Sequence, residues 1–166
     1  MFRIGDRVVY GIHGICQILD LEERKVDRKT IKYFALEPLD QPGARFFVPS
    51  ENPAALAKLR HIISREDLER LLSSSEIREN CWIADENQRK QRYRELINSS
   101  DRVARLKMIN TLHQHKKLQA AAGRKFHLCD ENFLRDAEKL LNAEFSLVLG
   151  IQPNEVAAYI LSALDQ

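Results

Sequence analysis

The spacing of apolar positions changes once along this chain, near residue 63, and the change divides it in two. Before that point, apolar residues come in short runs rich in strand formers. Val8, Val9 and Tyr10 meet a Gly11-x-x-Gly14 turn, and alternation resumes through Ile15, Ile18 and Leu19, as a hairpin with glycines at its strained positions requires. Strands are predicted at 7–10, 15–21, 31–36 and 45–48, separated by polar or Pro/Gly turns, of which 37–43 carries Pro38, Pro42 and Gly43. Val48-Pro49 ends the run. Asn52-Pro53-Ala54-Ala55-Leu56 then starts a short helical turn with proline in its tolerated first-turn place, and a last strand is expected at 59–62.

From Ser64 the period is helical. Ser64-Arg65-Glu66-Asp67 has capping-box spacing with Asp in place of Glu, Leu68, Leu71 and Leu72 follow on one face, and Ser73-Ser74-Ser75 is a stop. A second helix is expected from near Trp82 to Ile97, ended by Asn98-Ser99-Ser100, and a third from an Asp101 cap to about Ala122, terminated by Gly123. Asp130 is expected to cap a fourth, in which Phe133, Leu134, Ala137, Leu140, Leu141, Phe145 and Val148 form one apolar stripe ended by Gly150. Pro153-Asn154-Glu155 opens the last, carrying Val156, Tyr159, Ile160 and Leu164. The fold class is therefore α+β with two domains, a small SH3-like β-barrel over residues 1–62 and an all-α bundle of about five helices over 63–166.

Charge refines this division. The 166 residues carry a formal net charge of +2, but residues 1–84 hold 13 basic and 13 acidic side chains, 85–125 hold 11 against 4 (+7), and 126–166 hold 2 against 7 (−5). A basic middle followed by an acidic end makes either a phosphate-seeking surface or two packed segments that neutralise each other. Hydrophobic residues are 44% and charged residues 30%, ordinary for a globular protein. No run approaches the roughly 18 apolar residues of a membrane helix and no signal-peptide pattern opens the chain, so a cytoplasmic protein without membrane contact is expected. Cys16, Cys81 and Cys129 are odd in number and far apart, which argues against a disulfide framework or a zinc site.

Catalytic patterns are missing: there is no Walker loop, Gly-x-Ser-x-Gly or His-Glu-x-x-His. His113 and His115, two apart, point to different faces of a helix and do not suit a shared metal. The expectation is a non-enzyme without metal, cofactor or small-molecule substrate. Trp82, the only tryptophan, has two readings. Helical spacing groups it with Glu86, Arg89, Tyr93, Leu96 and Ile97 as a packing residue. Alternatively its ring is an aromatic wedge for a DNA minor groove, beside phosphate-holding Arg89, Lys90, Arg92, Arg94, Arg102 and Arg105. Arg124 and Lys125 join this candidate DNA set. In Ala44-Arg45-Phe46-Phe47-Val48-Pro49 the two phenylalanines must face opposite sides of a strand, one inward and the other covered or offered to a partner.

Phe2-x-Ile4-Gly5-Asp6-x-Val8-Val9-Tyr10, His13-Gly14 and Val48-Pro49-x-x-Asn52 resemble the CarD/CdnL family of bacterial transcription regulators, whose N-terminal module is shared with the transcription-repair coupling factor. Trp82-Ile83-x-Asp85, Arg89, Tyr93, Asp101, Gly123-Arg124-Lys125, Asp130, Ala137-Glu138, Glu144 and Leu149-Gly150 look like the helical domain of one branch, so the resemblance covers nearly the whole chain. It implies an SH3-like or Tudor-like domain that docks on the β subunit of RNA polymerase, through residues placed here at Arg45, Phe46, Phe47, Val48 and Pro49. It also implies a helical domain that touches the backbone and minor groove of double-stranded promoter DNA and alters open-complex stability. Two departures stand out: the family's tryptophan falls near Arg89, two helical turns after Trp82, and Phe47 occupies a place where some relatives carry a basic residue. The rival from another class is a protein-interaction adaptor that binds no DNA, its basic helices packed on an acidic partner or on the acidic end of the chain.

Overall fold

The structure, a computed structural model, describes residues 1–99 and 101–164. They form two compact units that divide between Ile62 and Ile63.

The first unit is a five-stranded antiparallel sheet of β1 (Arg7–Tyr10), β2 (Ile15–Val26), β3 (Lys29–Pro38), β4 (Phe46–Pro49) and β5 (Leu59–His61), in the order β4-β3-β2-β1-β5. The register sets Val8 opposite Cys16, Ile18 opposite Leu36 and Phe34 opposite Val48. The two-residue period thus puts these side chains on one face, where with Leu59 they make the buried core. Gly11 and Gly14 turn β1 into β2 at φ of 49° and 79°, a backbone that other residues adopt only with strain. Asn52 caps the four-residue helix α1 (Pro53–Leu56), accepting from the Ala54 and Ala55 amides at 3.0 and 3.3 Å.

The strands at 15–21 and 31–36 prove longer than the apolar pattern suggests. β2 runs on to Val26 and β3 begins at Lys29, so residues 22–30 form a hairpin arm, with Glu22 paired to Tyr33 and Val26 to Lys29. Glu23 to Thr30 are all exposed, and a ribbon wet on both faces has no need of the apolar alternation that reveals a half-buried strand. The turn expected at 37–43 likewise starts later, because Pro38 ends β3 opposite Cys16, a strand-end position proline tolerates.

The second unit contains α2 (Arg65–Ser73), a 3₁₀ turn (Ser75–Arg78), α3 (Glu86–Asn98), α4 (Arg102–Ala121), α5 (Leu128–Leu149) and α6 (Pro153–Leu164). Ser64, Asp85 and Asp101 cap α2, α3 and α4, each accepting from the amide three residues on. Gly150, at φ 68°, ends α5. Leu68, Leu72, Tyr93, Leu106, Leu112, Leu134, Leu141, Phe145 and Ile160 belong to one buried cluster, to which the unexpected 3₁₀ turn adds Ile77. Two boundaries are corrected. Trp82 precedes α3 rather than opening it, because Asp85 takes the cap. Asp130 does not cap α5, which starts at Leu128 and leaves this carboxylate inside the first turn. Ser100, expected to help end α3, lies outside the described residues.

The hairpin arm turns through Asp27 and Arg28 at φ of 50° and 66°. A two-residue turn with both φ positive matches the right-handed twist of its strands and favours Asn-Gly over Asp-Arg. Arg28→Gly is expected to stabilise the first unit by about 0.5–1 kcal/mol, read as a higher denaturant midpoint with an unchanged slope.

Candidate functional site

β4 borders only β3, so its other side is an open sheet edge. On this strand Val48 is buried and Phe46 packs inward, 4.5 Å from the His13 ring and 5.5 Å from Tyr10. Phe47, on the opposite face and half-buried, lies beneath the Arg24 guanidinium, 3.9 Å from the ring centroid. Arg24 is exposed and also reaches Glu22 at 3.3 Å. Arg45 hydrogen-bonds Glu37, and this contact, with a second from the Gly43 amide, holds the Glu37 carboxyl below its ordinary range. The charge of Arg45 is therefore offset locally, while Arg24 stands over the apolar face beside the open edge. Sequence reasoning missed Arg24 because the arm carrying it was read as a turn; the signal available was the opposite charge of Glu22 and Arg24, two apart and so on one face of a strand.

The basic set of the helical unit is not one surface. Arg89, 3% exposed, donates through Nε to Asp130 Oδ1 at 2.8 Å and through Nη2 to Oδ2 at 3.1 Å, while Nη1 donates to the Ile83 carbonyl at 3.0 Å. Arg105, 1% exposed, donates to the carbonyls of Leu96 at 3.2 Å, Ile97 at 2.9 Å and Ser99, satisfying the end of α3. Arg102 holds the buried Glu144 with bonds of 2.8 and 2.5 Å, and that carboxylate also accepts from the Ile63 amide at 2.9 Å. Arg89, Arg102 and Arg105, expected among the DNA contacts, are thus engaged within the helical unit. A helix spacing rule sees which face a cation occupies but not the carboxylate that arrives from another helix. Lys90 pairs with Glu86 at 3.2 Å and Arg92 with Glu95 at 3.5 Å, both at the surface, and Arg94, Arg124 and Lys125 are exposed.

Trp82 is held on both faces. Its ring stacks on His115 with centroids 3.6 Å apart and planes 14° from parallel, and the Arg89 guanidinium lies 4.3 Å from the ring. It is half-buried against the helical core, an arrangement that supplies the packing reading without the shared α3 face on which that reading rested. Burial pushes the His115 imidazole below its ordinary value, with Arg89 and His127 acting in the same direction and Asp130 opposing them. His113 instead meets Glu138 at 2.5 Å. Among the described residues the Tyr93 hydroxyl is buried without a hydrogen-bond partner, and burial raises its pKa.

A cleft of about 470 Å³ opens beside Tyr93, Cys81, Leu96 and Val103. Its cationic rim is already engaged, Lys107 with Glu79 at 3.1 Å and Arg92 with Glu95 at 3.5 Å. No group of three or more His, Cys, Asp or Glu suited to a metal occurs among the described residues, and no single helix there is long and apolar enough to cross a membrane. What the two units offer is surface for binding: an open strand edge in one and scattered exposed cations in the other.

The first of these surfaces lies in a domain of known kind. A family model for the CarD-like/TRCF RID domain matches residues 2–63, nearly all of the sheet-bearing unit and the first residue of the next, and marks this part as an RNA polymerase-interacting domain. This part of the chain is thus similar to the domain that CarD-like proteins share with TRCF, and the match covers residues 2–63 of the 166. No curated protein matches the chain.

Removing one partner of a buried ion pair strands the other, at a cost of about 3–5 kcal/mol. Asp130→Asn is expected to lower the stability of the helical unit by that amount in equilibrium unfolding followed by Trp82 fluorescence. Because the His115 pKa is lowered in the folded state, the unfolded chain takes up the proton first on acidification. The stability that His115 contributes is complete above its ordinary value of 6.5 and declines as pH falls toward the folded value. His115→Gln should flatten that part of the stability profile between pH 7 and 5.

Proposed function

We propose that the chain is a transcription regulator that docks on the β subunit of RNA polymerase through the open β4 edge and places its helical unit against promoter DNA, modulating open-complex stability. The carrying observation is that the domain matched at residues 2–63 presents an unpaired strand edge flanked by an apolar-cationic pair, Phe47 under Arg24. An open edge takes up a partner strand through main-chain hydrogen bonds, and neighbouring side chains choose the partner. On this reading the first unit is an SH3-like or Tudor-like barrel, Arg24 and Phe47 make the main side-chain contacts, and Phe46 and Val48 hold the strand from behind. Arg45 has a lesser part, its charge being met by Glu37.

In the helical unit, the surface cations available to DNA include Lys90, Arg92 and Arg94 on α3 and Arg124 and Lys125 after α4. Such contacts bind backbone rather than sequence and are weak alone; tethering to polymerase raises their local concentration enough to matter. Trp82 acts as a packing residue that braces Arg89. The protein works by binding, in the cytoplasm, with no catalytic step of its own.

The second reading, an adaptor that binds no DNA, draws support from the ion pairs Arg89–Asp130, Arg102–Glu144 and Lys116–Glu131, through which the acidic end neutralises part of the basic middle. Salt dependence separates the two: steep dependence of a DNA association favours the regulator, and no association at low salt favours the adaptor.

With immobilised polymerase, Phe47→Glu and Arg24→Glu in the full chain are each expected to weaken binding by roughly 30-fold, the size of a central interface residue of about 2 kcal/mol. Unchanged affinity in both variants would move the docking surface away from β4.

A further inference from the structure

The net charge of the basic middle is spread along α3 and α4 in sequence but not in effect. Between Asp101 and Asp130 the chain has no carboxylate and seven cations, Arg102, Arg105, Lys107, Lys116, Lys117, Arg124 and Lys125. The first four are engaged: with Glu144, with the carbonyls ending α3, with Glu79, and with Glu131 at 3.3 Å. Lys117, Arg124 and Lys125 are exposed and have no ionic partner among the described residues; Lys117 lies near the end of α4, and Arg124 and Lys125 lie in the reversal that joins α4 to α5. The helix ends that flank the reversal carry Leu118, in α4, at 67% and Leu128, the first residue of α5, at 73% exposure, the largest values for big apolar residues of the helical unit among those described.

This reversal is held in one shape. Gly123 takes φ 70°, the Arg124 amide donates to Gln119 at 2.8 Å and the Gly123 amide to Ala120 at 3.1 Å, and Lys116 ties α4 to Glu131 of α5. Phe126 packs inward on the core. Unpaired cations and bare leucines on a preformed apex bind with little loss of chain freedom.

We infer that the α4–α5 apex, rather than α3, is the part of the helical unit that grips duplex DNA, with Lys117, Arg124 and Lys125 on phosphates and Leu118 and Leu128 against the apolar sugar wall of a groove. The inference rests on the reading that this unit contacts promoter DNA. Duplex DNA is the occupant because the polymerase-interacting domain brings the chain to a DNA-bearing machine, and because groove binders join phosphate contacts to inserted or packed apolar side chains. An anionic membrane would call for a long apolar helix face, and the apex offers two leucines.

The test uses the full chain and a fluorescently labelled 20-base-pair duplex, with anisotropy titrations over a range of salt. Neutralising three phosphate contacts in Lys117→Gln/Arg124→Gln/Lys125→Gln should flatten the salt slope by roughly 2–3 and weaken low-salt binding at least about 10-fold. Leu118→Ser/Leu128→Ser should weaken binding about 5-fold with the slope unchanged, since no charge is altered. All five side chains are exposed, so circular dichroism should be unaffected. Wild-type binding that survives in both variants but is lost in Arg92→Gln/Arg94→Gln would overturn the inference and leave the DNA reading standing. Competition by polyglutamate as effective as by unlabelled duplex would also overturn it. A wild-type chain that binds no duplex at low salt would remove the DNA reading and the inference together.

Discussion

A guanidinium inside a helical core has to be answered, and the answer Arg89 receives organises the second unit. Asp130 meets it with two parallel bonds, the Ile83 carbonyl takes a third, and Trp82 covers its face. The loop before α3 and α3 itself are thereby fixed to the first turn of α5, some forty residues on in sequence. An ion pair at this depth adds little net stability over a well-packed apolar substitute. What it adds here is a defined position for elements whose apolar contacts would tolerate sliding.

The same logic repeats with less burial toward the other end of the bundle. Glu144 is met by Arg102 and by the Ile63 amide, so the start of the helical unit is pinned to α5. Arg78 donates to the carbonyls of Ala163 and Leu164 and closes α6 as Arg105 closes α3. Much of what a charge count credits to the surface is therefore scaffold, and the charge left for partners is small and localised. A weak, tethered DNA contact suits such a surface better than tight independent binding does.

The turns and caps were legible because their chemistry is local. Ser64, Asp101, Gly123, Gly150 and the glycines around His13 act within three or four residues, and the sequence carries all the information they use. The hairpin arm was hidden because a strand exposed on both sides has no hydrophobic period. Asp130 was misplaced for a different reason: an Asp ahead of an apolar stripe is a good cap by itself, and only a guanidinium coming from α3 draws it into the helix instead. Trp82 shows both sides of this limit. Helical spacing grouped it with Arg89, which it does touch, although Trp82 itself lies before α3, whereas His115 comes from α4, outside the reach of any single period. The strand expected at 45–48 lies at nearly the position of β4, whereas the place of Arg24 over Phe47 depended on a pairing between strands that the apolar pattern did not announce.

The stacking of the single tryptophan has an optical consequence. Trp82 lies between an imidazole and a guanidinium in the helical unit, and the first unit has no tryptophan at all. Emission excited at the red edge of indole absorption therefore reports on one half of the molecule and is blind to the other. Loss of the stacked imidazole releases the indole from a quenching neighbour, so opening of the loop before α3 has its own intensity change, separable from the wavelength shift that accompanies global unfolding. The chain thus carries a native, label-free probe for whether the helical unit stays closed when the sheet-bearing unit meets its partner.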